Sequence, residues 1–124
     1  MATTTDFWGA LDAKELIQRT PLSILREQAA LLGEKTGNLV EAQVSRDTYG
    51  PEFVLALNLV VPGLDNYTYQ ILKVRHPVAL YPVTDMSTYK ELRDEGAFVE
   101  WLRVRLSSPE THRIIGNLLS QASS

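Results

Sequence analysis

The sequence predicts a single α+β domain, in which an N-terminal helix pair and two C-terminal helices pack on an antiparallel four-stranded meander. Three observations predict this fold. Helical patterns stand at both ends of the 124-residue chain, strand patterns fill its middle, and short turn signals separate the strands. Segregated runs of helices and strands favour α+β over an alternating parallel sheet. Sequential strands usually pair, which predicts the strand order 1-2-3-4.

Two helical patterns precede the strands. Residues 6–19 predict a short helix, and Thr20-Pro21 predicts the start of a longer one, because threonine caps a helix and proline fits its first position. Gly37-Asn38 supplies left-handed residues that end this helix. The apolar residues of the first helix are Phe7, Leu11, Leu16 and Ile17, and those of the second recur at Leu22, Leu25, Ala29 and Leu32.

Four strand patterns follow. Val40, Ala42 and Val44 alternate with polar residues, which is typical of a strand with one wet face. Residues 53–61 are apolar on both faces, which indicates a central strand. In the third strand, residues 67–76, the apolar positions change face between Ile71 and Leu72, so the sequence favours a β-bulge or burial on both sides. Residues 78–83 predict a fourth strand that lies at an edge or ends early, because Pro82 cannot donate to a ladder.

Two helices close the chain. Residues 94–106 predict a helix that is apolar over most of its circumference, and such a helix needs cover on two sides. Ser108-Pro109 repeats the capping pattern of Thr20-Pro21 and predicts the last helix. We expect both chain ends, about residues 1–5 and 120–124, to fray.

Composition narrows the classes of function. The chain has no cysteine, which excludes disulfides, thiolate metal sites and a cysteine nucleophile and favours a reducing, cytoplasmic compartment. No apolar stretch approaches the length of a membrane span, and the first ten residues do not resemble a secretory signal. The net charge of −3 provides no electrostatic attraction to phosphate backbones or anionic membranes.

Sequence motifs for metal, cofactor or phosphate binding are missing. Two histidines, His76 and His112, stand too far apart for a zinc motif. There is no nucleophile elbow and no glycine pattern that cradles phosphate. We therefore expect neither a metal nor a cofactor.

His76, Tyr81 and Asp85 are the candidate catalytic residues. A histidine at a strand end can act as a general base in a cleft, and the tyrosine and aspartate follow closely in sequence. The simpler interpretation is a polar residue that marks the end of the third strand, because a lone histidine is weak evidence for a site. A small enzyme built on these residues is therefore the alternative function.

Nucleic-acid binding is a second alternative. Lys73 and Arg75 are predicted to share one face of the third strand with Tyr67 and Tyr69, and rings beside cations are typical of platforms that bind single strands. Tyrosines on a sheet serve more often as cross-strand packing partners. The acidic balance of the whole chain also argues against this function.

The favoured hypothesis is a non-catalytic module that binds a protein partner or a second copy of itself. Residues 53–61 and the helix carrying Trp101 display more apolar area than we expect one small domain to hide, and such excess marks partner surfaces. Tyr69 and Trp101 are the natural anchors, because aromatic residues are enriched at interface hot spots. Alternatively, the N-terminal helix with Phe7 and Trp8 covers the second sheet face. The predicted interaction surface comprises Tyr67, Tyr69, Trp101 and Val104.

Overall fold

The structure, a computed structural model, describes residues 5–124 and confirms the α+β class, with five strands instead of four in that range. The strands form one antiparallel sheet in the order β1-β2-β3-β4-β5. None of the described helices combines the length and hydropathy needed to cross a bilayer. In chain order the elements are α1 Ala13–Leu16, α2 Pro21–Lys35, β1 Glu41–Tyr49, β2 Glu52–Val61, a 3₁₀ turn Pro62–Leu64, β3 Tyr67–His76, β4 Val83–Asp85, β5 Glu91–Leu92, α3 Glu95–Leu106 and α4 Pro109–Ala122.

The hydrophobic core lies between the sheet and helices α2, α3 and α4. Strand β2 is central, as its two apolar faces predict, and it pairs with β1 and β3 along nearly its whole length. Phe98 and Leu55 are completely buried between the two layers. The core-side residues of β2 are Leu55, Leu57, Leu59 and Val61, all 3% exposed or less.

The other face of β2 is covered by the chain's own strands. Val54 and Ala56 lie opposite Arg75 and Lys73 of β3, and their exposed fractions are only 8% and 7%. Long cationic side chains cover small apolar neighbours in this way, because their stems are apolar. Strand β2 is therefore enclosed without any help from the N-terminal segment, and the expectation that residues 53–61 display apolar area that the domain cannot hide is wrong.

A β-bulge in β3 explains why its apolar positions change face. The register with β2 shifts between Leu57 and Asn58, so that Leu57 pairs with Leu72 while Asn58 pairs with Gln70. Ile71 is the extra residue, and it is buried in the core together with Leu72. A bulge places two successive residues against one partner and re-aims the strand beyond them.

The predicted fourth strand at residues 78–83 is wrong in its bounds. These residues form a loop up to Pro82, and β4 occupies Val83–Asp85. Neither Pro77 nor Pro82 has an N–H to donate to a ladder, and the N–H of Leu80 donates instead to the carbonyl of Pro77 at 3.0 Å. A tight turn after β4 then leads into β5, a strand of two residues that has no alternating pattern to reveal it.

Helix starts follow the capping signals closely. Thr20 and Ser23 form a reciprocal capping box at the start of α2. Asp94 and Ser108 cap α3 and α4 through their side-chain oxygens. Helix α4 continues to Ala122, into the stretch where we predict fraying. The predicted fraying at the other end falls, apart from Thr5, outside the described residues.

The N-terminal segment, which we define as residues 5–17, does not pack on the sheet. Its helix α1 is a single turn without a buried residue. Phe7 and Trp8 are 93% and 82% exposed, so they do not cover the second sheet face. The short helix predicted within residues 6–19 is the single turn α1, and Gly9, with a positive φ of 74°, interrupts helical backbone before it.

Candidate functional site

The predicted catalytic residues lie at one end of the sheet but serve local structure there. His76 is 5% exposed, and its Nδ1 lies 2.8 Å from the carbonyl oxygen of Pro77. Its ring stacks on Phe53 of the neighbouring strand with 5.4 Å between centroids. Asp85 accepts hydrogen bonds from the Ser87 N–H and the Thr88 hydroxyl, both at 2.9 Å, and so shapes the turn after β4.

Tyr81 has a different environment. Its hydroxyl is buried and has no hydrogen-bond partner. Burial raises the pKa of Tyr81, the charge of Glu95 raises it further, and the charge of Arg19 lowers it. In the described part of the chain, no hydrogen bond or ion pair joins His76, Tyr81 and Asp85 to one another. Catalysis at this end of the sheet stays a prediction.

The bulge separates the residues of the predicted nucleic-acid platform. Tyr69 pairs with Leu59 and therefore lies on the helix side of the sheet, together with Leu57 and Leu72. Lys73 pairs with Ala56 on the opposite face. The assumption that these rings and cations share one face is wrong, because a bulge shifts the alternation of side chains by one residue.

An apolar groove opens on the helix side of the sheet, between α2 and the corner formed by α3 and α4. Its volume is about 420 Å³. We call it the α2 groove. The sheet provides its floor, α2 provides one wall, and α3 and α4 provide the other. Its apolar lining consists of Ile24, Ala29, Leu31, Leu32, Ala42, Leu57, Leu59, Ile71, Val99, Leu102, Leu106 and Ile115.

Three cationic side chains and no carboxylate line the α2 groove: Arg19, Lys35 and Arg103. Arg19 pairs with Glu27 at 2.8 Å, and Arg103 pairs with Glu100 on the preceding turn of its own helix. The paired side chains are all between 44% and 65% exposed, so these ion pairs contribute little and can exchange partners. The lining therefore favours a ligand with negative charge beside its apolar groups.

Thr111, the buried polar residue of the α2 groove, already has partners, whereas Gln28, Ser107 and His112 line the groove from more exposed positions. The Thr111 hydroxyl donates to the Arg105 carbonyl at 2.8 Å and accepts from Ser108 at 3.0 Å. Buried side-chain atoms without a partner occur, in the described chain, at Arg75 and Tyr81, and neither residue lines the groove. The groove consequently selects by apolar shape, because it has no free buried polar group to orient a ligand.

A second, smaller groove of about 300 Å³ lies on the other side of the α3–α4 corner and shares Ile71 and Thr111 with the first. It brings together three of the four predicted interaction residues: Tyr69, Trp101 and Val104. The fourth, Tyr67, is 49% exposed and does not line it. That these residues anchor a partner stays a prediction, and the sequence analysis did not predict the α2 groove.

One signal for the α2 groove was present in the sequence. Helix α3 is apolar over most of its circumference, and the structure places Val99 and Leu106 toward the α2 groove while Trp101 and Val104 face the smaller one. A helix with two apolar sides predicts two contacts, but the sequence pattern does not say that one of them stays open.

No metal site emerges from the described residues, since they contain no group of three or more histidine, aspartate or glutamate side chains that could hold an ion. Comparison of the chain with protein-family models, with curated proteins and with solved structures finds no match in any of the three.

Proposed function

We propose that this protein is a non-catalytic, cytoplasmic interaction module that binds an apolar segment of a protein partner in the α2 groove. The observation that carries the proposal is the apolar lining of that groove, which is open to solvent and has three cations in its lining. Apolar segments that insert side chains into grooves of this kind are a recurring mode of protein recognition.

The size of the α2 groove favours side-chain anchors as its ligand. A volume of about 420 Å³ holds two or three large side chains. A small-molecule site of that volume usually carries a few free polar groups that orient the ligand. Here Thr111 is already bonded on both its donor and acceptor sides. The lining thus suits aromatic and aliphatic side chains better than a polar metabolite.

The charge of the lining further restricts which partner segments fit the groove. Arg19, Lys35 and Arg103 stand among the lining residues without a carboxylate. A partner segment with acidic residues beside its apolar anchors complements this arrangement, because opposite charges speed association and exclude cationic competitors. We therefore expect a ligand with two or three large apolar side chains and acidic neighbours.

The experiment that tests this function is a selection of displayed random peptides on the immobilised full chain. Enriched peptides are then synthesised and titrated against variants. Ala29 and Ala30 provide a matched pair, because Ala29 lines the α2 groove whereas Ala30 is its exposed neighbour on the same helix. Ala29→Glu is expected to weaken peptide binding by at least about 30-fold, because it places a charge and added bulk among the apolar lining and repels an acidic ligand. Ala30→Glu adds the same charge and should bind normally.

Leu31→Glu protects the test against misfolding of the first variant. Leu31 lines the α2 groove but is 42% exposed, so a glutamate there does not bury its charge. Circular dichroism establishes that each variant folds. Enriched peptides that bind Leu31→Glu and Ala29→Glu as tightly as the wild type, or a selection that enriches nothing, contradict the proposal.

A further inference from the structure

The N-terminal segment carries a concentration of exposed apolar side chains. Within its thirteen residues, Phe7, Trp8, Leu11, Leu16 and Ile17 are between 55% and 93% exposed. Single exposed apolar residues are ordinary, but five in one short segment form the kind of apolar surface that marks an interaction. Within the described residues 5–124, every residue of the segment is exposed, and α1 has no buried residue.

The segment leaves the fold beside the α2 groove. Arg19 lines the groove, and its guanidinium lies 2.8 Å from Glu27 on α2 and 3.9 Å from Glu95 on α3. Ile17 and Thr20 have extended backbone, with φ and ψ of −68° and 125° and of −106° and 162°. The chain is therefore extended where it joins α2, and none of residues 5–17 lines the groove of its own chain.

Charge and length of the N-terminal segment both match the α2 groove. The segment has three carboxylates, Asp6, Asp12 and Glu15, and one cation, Lys14. The groove lining has three cations and no carboxylate. The groove runs along α2, a helix of 15 residues and therefore about 22 Å long. Thirteen residues reach at most about 45 Å when extended, so the segment can follow the groove even with one helical turn.

We propose that the N-terminal segment of one copy of this protein occupies the α2 groove of a second copy. Reciprocal exchange produces a dimer with two-fold symmetry, which is the commonest form of oligomer. Phe7 and Trp8 are the anchors, because aromatic side chains dominate interface energetics. The inference rests on the proposed function, since it names the partner of the same groove as the chain itself.

Light scattering of the 124-residue chain over a wide range of concentrations tests this inference. The wild type is expected to pass from monomer to dimer. Trp8→Ala should raise the dimer dissociation constant by at least about 30-fold, the effect of removing a tryptophan hot spot. Trp8 is 82% exposed, so this variant keeps the fold of the monomer. Ala29→Glu should weaken the dimer similarly, and Ala30→Glu should not.

Mixing the two defective variants separates exchange between copies from docking within one chain. Trp8→Ala has an intact groove and Ala29→Glu has an intact segment, so a mixture can form one native contact per dimer. The mixture is expected to form heterodimers at concentrations where each variant alone is monomeric. A wild type that stays monomeric throughout, a dimer insensitive to both substitutions, or a mixture without heterodimers overturns the inference.

Failure here is distinguishable from failure of the proposed function. The peptide selection is repeated on Trp8→Ala, whose groove no segment of a second copy can fill tightly. Groove-dependent peptides together with a monomeric wild type leave the binding function in place and remove only the chain itself as the partner. A selection without groove-dependent peptides on either protein removes the function, and with it the exchange.

Discussion

Tyr81 is the residue that this fold satisfies least well. Its hydroxyl is buried without a hydrogen-bond partner, and an unpaired buried hydroxyl costs about 1–3 kcal/mol. Burial raises the pKa of Tyr81 above its usual value of 10.0, and the charge of Glu95 adds to the effect. The folded protein therefore holds the phenolic proton more tightly than the unfolded chain does. Because of this difference in proton binding, the free energy of unfolding is unaffected by Tyr81 ionisation at neutral pH and falls as the pH rises above 10.

Tyr81→Phe tests whether the buried hydroxyl of Tyr81 lacks a hydrogen-bond partner. The variant removes the unpaired hydroxyl and keeps the ring, so its free energy of unfolding at pH 7 should equal or exceed that of the wild type by about 1 kcal/mol. Above pH 10 the wild type should lose stability faster than the variant. Urea unfolding at both pH values measures the difference, with Tyr89→Phe, at an exposed tyrosine, as the control. A loss of more than about 1 kcal/mol at pH 7 would indicate a hydrogen bond that Tyr81 needs.

At the scale of secondary-structure elements, one arginine ties α3 to the bulge in β3. Arg105 donates from Nη2 to the carbonyl oxygen of Ile71 at 2.8 Å. Ile71 is the bulged residue, and a bulge locally disrupts the hydrogen-bonding ladder. The contact gives that carbonyl a charged donor and fixes α3 between the two grooves. Arg103, two residues earlier in α3, pairs only with the exposed Glu100.

Arg105→Met and Arg103→Met form a matched pair of substitutions on α3. Arg105→Met should lower the free energy of unfolding by about 1–2 kcal/mol, because it removes a charged hydrogen bond to a backbone carbonyl. Arg103→Met should change it by less than about 1 kcal/mol, since exposed ion pairs contribute little. Urea unfolding of both variants at one pH and salt concentration measures the two values. Equal losses would show that Arg105 acts only through its apolar stem.

Over the whole molecule, apolar side chains fall into three groups that differ in which part of the chain, if any, shields them from solvent. The first group is the core between sheet and helices, which includes Leu55 and Phe98 and is closed by the chain itself. The second lies on the outer face of β2, under the stems of Lys73 and Arg75. The third comprises the N-terminal segment and the α2 groove, both open to solvent. The proposed partner covers the third group alone.

This division predicts that the N-terminal segment adds nothing to the stability of the monomer. A triple variant, Phe7→Ser with Trp8→Ser and Leu11→Ser, should have a free energy of unfolding within about 0.5 kcal/mol of the wild type, because surface substitutions rarely change it more. The measurement is urea unfolding at protein concentrations too low for association. Leu55→Ala, at a completely buried core position, should cost about 2–5 kcal/mol in the same assay. A comparable loss in the triple variant would mean that the segment packs on its own chain.

The sequence patterns were sufficient for the features that neighbouring residues encode. The caps at Thr20 and Ser108 and the central position of β2 were predictable, and the change of face at Ile71 indicated a bulge or burial on both sides, because capping bonds and side-chain alternation involve residues a few positions apart. Strand β5 has two residues and no pattern, so it was not predictable.

The candidate site depends on distances between residues far apart in the chain. Ala29, Leu59, Val99 and Ile115 become the lining of one groove only when helices and sheet have packed. The register across the bulge determines the side of the sheet on which Tyr69 lies. Phe7 and Trp8 are exposed because they do not pack on the sheet. Local sequence encodes which side chains are apolar, but packing among distant elements determines which of them stay uncovered, because burial is a property of the assembled surface.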